Sequence, residues 1–355
     1  MTSTVDALRG GIVESRHPVS VAAVRADGTL AAWTGDPDLV TYWRSCAKLI
    51  QVLPLMTDGA AGALGITDEE IAVACASHNG EPRHVAVVEG LLRKADCTEN
   101  DLACGPHSSL APAVARAMAE RGEKPRRIHS NCSGKHAGML ALARFHGWPK
   151  EDYRRAGHPV QRRALAEAAL WTGVPEDKLG QGVDGCGVVS FALPLRNMAM
   201  AYARLASRAE PKGDGLWVVG GGGEAAPATH NLQPTTSLSA AADRVLRSII
   251  ADPFLIAGTG RLCTEVIAGS GGRVIAKIGA DGVYCVAIPE LQLGVALKVE
   301  DGDVESARPA LLATLEALVP GVVRVAESFR SPVIKNTLGE VVGGLTARVA
   351  LERGR

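Results

Sequence analysis

The hydrophobic pattern changes its period along the chain, and this change restricts the fold more than any other feature of the sequence. Residues 19–35 and 273–302 alternate apolar and polar side chains around turns that contain Asp-Gly, which is typical of antiparallel strands. Between these two segments, apolar residues mostly recur at helical spacing. The pattern predicts an α/β (α+β) fold. The N- and C-terminal segments are expected to form one antiparallel sheet, packed with helices, beside a helical subdomain.

The same pattern predicts one catalytic unit that covers the whole chain and has two parts. The part that contains the sheet is expected at about 1–50 and 238–355, and the mostly helical part at about 51–210. Residues 211–236 are rich in Gly, Pro and Thr, which indicates a loop or an insertion. The apolar spacing over 306–319 predicts the helix with which the chain closes.

Composition limits the classes of partner. Acidic and basic residues balance at 38 each and only 4% of residues are aromatic, so neither electrostatic capture nor base stacking favours a nucleic acid. No stretch is long and apolar enough for a membrane span, and the N-terminus lacks a signal-peptide pattern. Eight cysteines without a CxxC pair indicate a reduced, cytoplasmic protein and exclude a zinc ribbon. We therefore expect a small-molecule partner.

Three short polar motifs follow one another along the chain. The first is Ser45-Cys46-Ala47-Lys48, in a stretch (44–56) that is predicted to be helical, so that Ser45 and Lys48 would share a face. Ser77 begins the second, S-x-N, and Lys277 begins the third, K-x-G. Taken singly, each is more often a solvated pair, a helix end or the polar face of a strand. In this order, however, the three motifs are typical of penicillin-recognising serine enzymes.

The chemistry of these groups agrees with their order. Two ammonium groups in one dry pocket repel each other, so each lysine would favour the neutral form of the other. A neutral lysine can take a proton from a serine, and a charged lysine cannot. Ser77 could pass that proton towards the leaving group, and backbone N–H groups at a helix start could hold an oxyanion. The motifs therefore predict acyl transfer through a serine ester.

Two further stretches, SNCSGKH and DGCG, suggest a metal site. If Cys132 and Cys186 meet, their two thiolates with a nitrogen from Lys135 or His136 would suit zinc and leave one position open. Two buried thiols that bind nothing are the alternative, and they are more common for cysteines that have not been located.

The chain resembles the rhizobial-type L-asparaginases, which are separate from the asparaginases with a threonine nucleophile. The matching stretches are RSCAKLIQVLPLM, CASHNGEPRHVA, SNCSGKHAGMLA, VDGCGVVSFALPL, AGTGRLCTEVI and AKIGADGVY. The resemblance implies a fold similar to serine β-lactamases and serine-dependent glutaminases, and a homodimer. Cys46 inside the S-x-x-K turn and the length of 211–236 depart from the family pattern, but neither removes a functional group.

The resemblance also implies roles for individual residues. The catalytic residues would be two Ser-Lys pairs: Ser45 with Lys48, and Ser77 with Lys277. The zinc ligands would be Cys132, Lys135 and Cys186. The residues that line the substrate site would be Arg44, Asn131, His136 and Asp184.

The predicted activity is hydrolysis of L-asparagine to L-aspartate and ammonia, with zinc assisting substrate binding. A serine-dependent glutaminase or a penicillin-interacting amidase is the nearest alternative. A zinc hydrolase in which metal-bound water attacks is a second alternative. The third is a metal-dependent binding or sensor protein with an inactive hydrolase site.

Overall fold

The strands near the two ends of the sequence meet in one large sheet. The computed structural model describes residues 3–211 and 236–354. Almost all of the loop predicted at 211–236 lies outside these described residues.

The strands are β1 (Thr4–Arg9), β2 (Ile12–Arg25), β3 (Leu30–Thr34), β4 (Val40–Tyr42), β5 (Gly180–Val183), β6 (Val189–Pro194), β7 (Ile275–Ile278), β8 (Val283–Ile288), β9 (Leu293–Val299), β10 (Val333–Lys335), β11 (Val341–Arg348) and β12 (Glu352–Arg353). The helices are α1 (Lys48–Gln51), α2 (Pro54–Thr57), α3 (Ala60–Ala63), α4 (Asp68–Ala74), α5 (Pro82–Lys94), α6 (Pro112–Glu120), α7 (Ser133–His146), α8 (Pro159–Thr172), α9 (Leu195–Ser207), α10 (Leu238–Ala251), α11 (Phe254–Ala257), α12 (Leu262–Gly269), α13 (Val304–Leu318) and α14 (Glu327–Arg330). None of these helices has the length and apolar character needed to cross a membrane.

The described residues fall into two compact units. The sheet unit comprises 3–46, 192–209 and 262–354, and the helical unit comprises 47–191 with 210–211 and 236–261. These bounds differ from the predicted ones at two places. Helix α9 belongs to the sheet unit because it packs on β9, β2 and β8, and α10 and α11 belong to the helical unit because they pack on α4.

The large sheet is antiparallel at every pairing. Its strand order is β10-β11-β1-β2-β9-β8-β7, and β3 pairs with both β2 and β12. Strands β8 and β9 are buried along their whole length, as expected for central strands that are covered by helices. The predicted mixture of helices and antiparallel sheet is therefore confirmed, together with the turns at 26–28 and 279–282 that join its hairpins.

The helical unit is built around α4 and α7. A capping box formed by Thr67 and Glu70 begins α4, as the sequence predicts. The two helices touch at Gly134, where an added methyl group would lie only 2.1 Å from the carbonyl oxygen of Val73. Glycine at this position therefore allows the backbones of α4 and α7 to approach closely.

An ion network lies inside the helical unit. The guanidinium group of Arg163 is fully buried and lies 2.8 Å from Asp58 and 2.6 Å from Glu167. His146 contacts Asp58 at 3.0 Å, and the Trp171 indole donates a hydrogen bond to Glu167. Removing one member of such a network would leave a buried charge without its partner.

Two predictions of secondary structure are wrong. The chain does not close with a helix, because β10, β11 and β12 follow α13; these strands are short, largely exposed or rich in glycine, and so lack a strong alternating pattern. Residues 44–56 do not form one helix either. They form a 3₁₀ helix (Arg44–Ala47), then α1, and then α2, which starts at Pro54, since a proline cannot continue the preceding helical turn.

Candidate active site

The 3₁₀ helix that carries Ser45 is held against strand β7 in the sheet unit. The Cys46 thiol donates a hydrogen bond to the carbonyl oxygen of Lys277, at 3.0 Å. A methyl group on Gly279 would lie 3.2 Å from the carbonyl oxygen of Trp43 and 3.3 Å from Cys46 Sγ. The glycine of K-x-G therefore allows the segment that carries Ser45 to pack this closely on the strand.

Arg44 precedes Ser45 in an unusual backbone conformation. Its φ of +53° lies in the left-handed region, which residues other than glycine seldom adopt and which is enriched at functional sites. Its guanidinium group forms an ion pair with Asp281, and the carbonyl oxygen of Asp281 accepts a hydrogen bond from Lys298. Arg44, predicted to line the substrate site, is thus tied to the turn that follows β7.

Lys277 is not a solvated lysine on the polar face of a strand. It is buried, with only 1% of its surface exposed, and its Nζ donates to the carbonyl oxygen of Ile278 at 2.9 Å. Its position on β7 is the predicted one. A buried amine on the strand that holds the Ser45 segment favours the predicted role over the alternative of a solvated lysine on the polar face of the strand.

Lys48 and Ser77 lie together inside the helical unit. Lys48 is 1% exposed, and its Nζ lies 3.1 Å from Ser77 Oγ, 2.5 Å from the carbonyl oxygen of Ala76 and 3.5 Å from that of Asn131. Its amine is thus surrounded by oxygens. The boundary between the units falls within the S-x-x-K motif, so Ser45 belongs with Lys277 to the sheet unit.

The loop that carries Ser77 is fixed by the segment around α11. The Ser77 N–H donates to the carbonyl oxygen of Ile256 and the Asn79 N–H to that of Ala257, both at 3.0 Å. The guanidinium group of Arg261 donates to Asn79 Oδ1 at 2.8 Å and to the carbonyl oxygen of Ser77 at 3.5 Å. The asparagine of S-x-N therefore holds the loop in place. Sequence reasoning gave no role to Arg261, although AGTGRLC is one of the matching stretches.

His78 ties the same loop to the start of α7. Its Nδ1 accepts a hydrogen bond from the Gly80 N–H, and its Nε2 lies 3.0 Å from Ser133 Oγ. Burial lowers the pKa of His78 well below its usual range, so the ring is neutral and donates from Nε2. Helix α7 and the Ser77 loop are thus joined through hydrogen bonds that are shielded from water.

The two cysteines that the sequence could not place together are neighbours. Cys132, at the N-cap of α7, and Cys186 share a hydrogen bond. Lys135 Nζ donates to Cys186 Sγ at 3.0 Å, and Asp184 Oδ2 lies 3.6 Å from the same sulfur. These contacts confine two sulfurs, one amine and one carboxylate to a small, largely buried region of the helical unit.

The electrostatics of this cluster favour one thiolate beside one ammonium group. The hydrogen bond from Cys132, helped by the charge of Lys135, lowers the pKa of Cys186 to about 5 in spite of its burial. The same hydrogen bond, together with burial, raises the pKa of Cys132 to about 12. Burial opposes the charge of Lys135, but the neighbouring sulfurs outweigh it and raise the pKa of this lysine.

The donor set of this cluster suits zinc. Two thiolate sulfurs and one nitrogen are ligands that zinc accepts, with a fourth position left for another ligand. Lys135 would have to lose its proton to coordinate a metal. Among the described residues, His, Cys, Asp and Glu side chains form no group of three or more that could hold a metal ion, so the donor set of this cluster includes the amine of Lys135.

In the sequence, Asn131 directly precedes Cys132 and His136 directly follows Lys135. The Asn131 N–H donates to His107 Nε2 at 2.9 Å, and its carbonyl oxygen accepts from the His78 N–H. His136 is fully buried, which lowers its pKa to about 3, and its Nδ1 lies 2.5 Å from the Tyr153 hydroxyl. His107 and Tyr153 were missed at the sequence level because both lie outside the recognised motifs.

Comparison with known proteins identifies the family to which the chain belongs. None of the curated proteins matches the chain. Mglu in its native form is a solved structure that is 14% identical, with a TM-score of 0.44, over 84% of this chain and 63% of that one. The L-glutamate-binding form of Mglu is also 14% identical, with a TM-score of 0.37, over 87% and 63%. The chain therefore spans about 63% of the length of these structures. The family model described as L-asparaginase II matches residues 5–347, and the chain thus belongs to the L-asparaginase II family.

Proposed function

We propose that this amidohydrolase of the L-asparaginase II family hydrolyses the side-chain amide of L-asparagine to L-aspartate and ammonia. The observation that carries the proposal is the environment of Lys48. Its buried amine lies 3.1 Å from the hydroxyl of Ser77. In the sequence, Lys48 follows Ser45 by three residues. A lysine in such a place can exchange protons with a serine away from bulk water. The motif order also supports a fold related to serine β-lactamases, and we propose that relationship too.

The reaction would proceed through a serine ester. Ser45 Oγ attacks the amide carbon while Lys48, as the neutral amine, takes the hydroxyl proton. Backbone N–H groups at the start of the helical segment stabilise the oxyanion that forms. Ser77 and Lys277 pass a proton to the amide nitrogen, and the C–N bond breaks to release ammonia. Water then hydrolyses the ester to give L-aspartate and restores the Ser45 hydroxyl.

The amino-acid end of the substrate would be held by the charged groups around this centre. Cys132, Lys135 and Cys186 would hold zinc, which when bound supplies a Lewis acid that helps to orient the substrate. Asp184 could hold the α-ammonium group. Arg44 could hold the α-carboxylate if it exchanged Asp281 for the substrate. The homodimer and the cytoplasmic location stay predictions that follow from the family resemblance and the composition.

The decisive experiment measures ammonia released by wild-type protein and by S45A. We expect S45A to lose activity by roughly 10⁴-fold or more, as for other nucleophile deletions, while its circular dichroism spectrum is retained. Near-normal turnover by folded S45A would exclude the serine mechanism. Assays with L-asparagine, L-glutamine and a chromogenic β-lactam test the substrate, and asparagine should be hydrolysed most efficiently.

A second measurement separates the serine mechanism from catalysis by metal-bound water. After complete removal of zinc with a chelator, the serine mechanism predicts that turnover persists at saturating asparagine, with a higher KM. If S45A retained activity and the chelated wild-type protein had none, the metal would be the catalyst instead.

A further inference from the structure

One ring nitrogen of His136 is buried and has no hydrogen-bond partner in the described part of the chain. The side chain is fully buried, and its Nε2 has no hydrogen-bond partner among the described residues. A buried polar group without a partner costs about 1–3 kcal/mol, and such groups in folded proteins call for a specific explanation. A bound molecule that supplies the missing hydrogen-bond partner is one such explanation.

The hydrogen bonds on the other side of the ring determine what Nε2 can do. The Ala103 N–H donates to the Tyr153 hydroxyl oxygen at 2.9 Å. The single hydrogen of that hydroxyl then needs an acceptor, and His136 Nδ1, at 2.5 Å, is the acceptor within reach in the described part of the chain. A neutral imidazole whose Nδ1 accepts must carry its hydrogen on Nε2. His136 is therefore a donor at its unsatisfied nitrogen.

Tyr153 is itself held in place. Its carbonyl oxygen accepts a hydrogen bond from Gln161 Nε2 at 3.0 Å, and Gln161 Oε1 accepts from the Val189 N–H at 3.3 Å. Gln161 is 1% exposed. This chain of contacts links the tyrosine to the start of β6, which follows the DGCG loop, so the hydroxyl keeps a constant direction towards His136.

His136 stands beside the cysteine cluster. Its N–H donates to the carbonyl oxygen of Cys132 at 3.0 Å, one turn further along α7, and residues four apart on a helix share a face. With its hydrogen on Nε2, His136 does not coordinate a metal through that nitrogen, which agrees with Lys135 as the nitrogen ligand of the proposed zinc site once Lys135 has lost its proton. A donor also cannot hold the α-ammonium group of an amino acid.

We propose that Tyr153 fixes His136 as the Nε2–H tautomer and that this N–H donates a hydrogen bond to an oxygen of the amino-acid substrate. The inference rests on the proposed function and on the expected place of His136 at the substrate site, and it adds the tautomer of His136, the direction of its hydrogen bond and the residue that positions it. His136 touches the substrate at a carboxylate or carbonyl oxygen, and Tyr153 acts only through His136.

The tautomer is tested by nitrogen-15 NMR of full-length, zinc-loaded protein labelled at its histidine nitrogens. We expect the His136 signals, assigned by comparison with H136Q, to be those of an Nε2–H ring. Saturation with L-aspartate should shift the Nε2–H signal. An Nδ1–H ring in the wild-type protein, or an Nε2–H signal that L-aspartate leaves unmoved, would overturn the proposal.

Kinetics of matched variants provide the second test. Y153F lets the His136 ring exchange tautomers. We therefore expect KM for asparagine to rise about tenfold, which corresponds to the loss of one hydrogen bond to a charged group, with a smaller change in kcat. H136Q keeps an amide N–H near the position of Nε2 and should retain a lower KM than H136N, whose amide lies near Nδ1. Equal KM values for H136Q and H136N, or an unchanged KM in Y153F, would contradict the assignment.

The control variant is T172V. It removes another fully buried hydroxyl from the same unit, one that donates to the carbonyl oxygen of Ala168 and accepts from the Val174 N–H, and should leave KM unchanged. Failure of the proposed function would appear as a wild-type protein that releases no ammonia. The tautomer and its response to L-aspartate are read without turnover, so they decide the inference separately.

Discussion

Replacing Gly134 by alanine should move α7, which carries Lys135 and His136, away from α4. The new methyl group would lie 2.1 Å from the carbonyl oxygen of Val73 and 2.7 Å from its carbon, whereas carbon and oxygen normally approach to no less than about 3.3 Å. Both atoms belong to the backbone of α4, so no side chain can rotate away. Helices α4 and α7 would have to move apart by about 1 Å.

The size of the effect follows from two opposing contributions. Alanine gains up to about 1 kcal/mol over glycine in a helix, and less at Gly134, which is the second residue of α7; overpacking a tight core costs about 3 kcal/mol. We therefore expect G134A to lower the free energy of unfolding by about 2 kcal/mol. The shift also moves Lys135 and Cys132 relative to Lys48, so asparaginase activity should fall even at temperatures at which the variant is folded.

Urea unfolding, followed by circular dichroism, measures this loss against a control in the same helix. At Gly138 an added methyl group meets Ala74 Cβ at 3.4 Å and Leu55 Cδ1 at 3.5 Å, which are ordinary contacts. G138A should therefore match or exceed the wild-type stability. Equal stability of G134A and G138A would refute the close approach of α4 to α7.

Three further outcomes are expected. R261K should lower kcat for asparagine with little change in KM, because a lysine cannot reproduce the planar contacts by which Arg261 holds the S-x-N loop; steady-state kinetics check this, and an unchanged kcat would contradict it. D58N should destabilise the fold by about 3 kcal/mol, since it removes a partner of the buried Arg163. Burial opposes ionisation of Asp58, but the hydrogen bond from His146 and the charge of Arg163 lower its pKa below the usual 3.8. The stabilisation by ionised Asp58 is therefore present above the pKa of the unfolded chain and is lost as the pH falls through the pKa of the folded protein. Between about pH 5 and pH 3, the free energy of unfolding in urea should fall more for the wild-type protein than for D58N. Zinc binding should release about two protons, because the Lys135 amine, which now donates a hydrogen bond, and the Cys132 thiol, whose pKa is raised to about 12, must both be deprotonated to coordinate. Calorimetry in two buffers of different ionisation enthalpy measures the number released, and about one proton or none would contradict lysine as a ligand.

Local patterns made part of this structure predictable. The Asp-Gly turns and the capping box at Thr67 are each encoded within a few neighbouring residues, and both form in the structure. The short final strands lacked such a signal, because exposed and glycine-rich strands lose the alternation that identifies them.

The contacts that organise the site depend on residues far apart in sequence. Arg261 reaches Asn79 across 182 positions, and Ala103 bonds Tyr153 across 50. Of these four residues only Asn79 belongs to one of the three polar motifs, and no spacing rule relates the members of either pair. Sequence patterns could thus nominate Ser45, Lys48, Ser77 and Lys277 as candidate residues, but the contact between Lys48 and Ser77 and the residues that hold the Ser77 loop in place became identifiable only from the fold.

The most direct test of covalent catalysis at Ser45 is mass spectrometry of the protein quenched during turnover of L-asparagine. An aspartyl ester should appear on the peptide that contains Ser45, form fast enough to account for turnover, and be absent from S45A. If active protein carried no adduct under rapid quench and hydroxylamine failed to divert product to the aspartyl hydroxamate, the reaction would not pass through a serine ester.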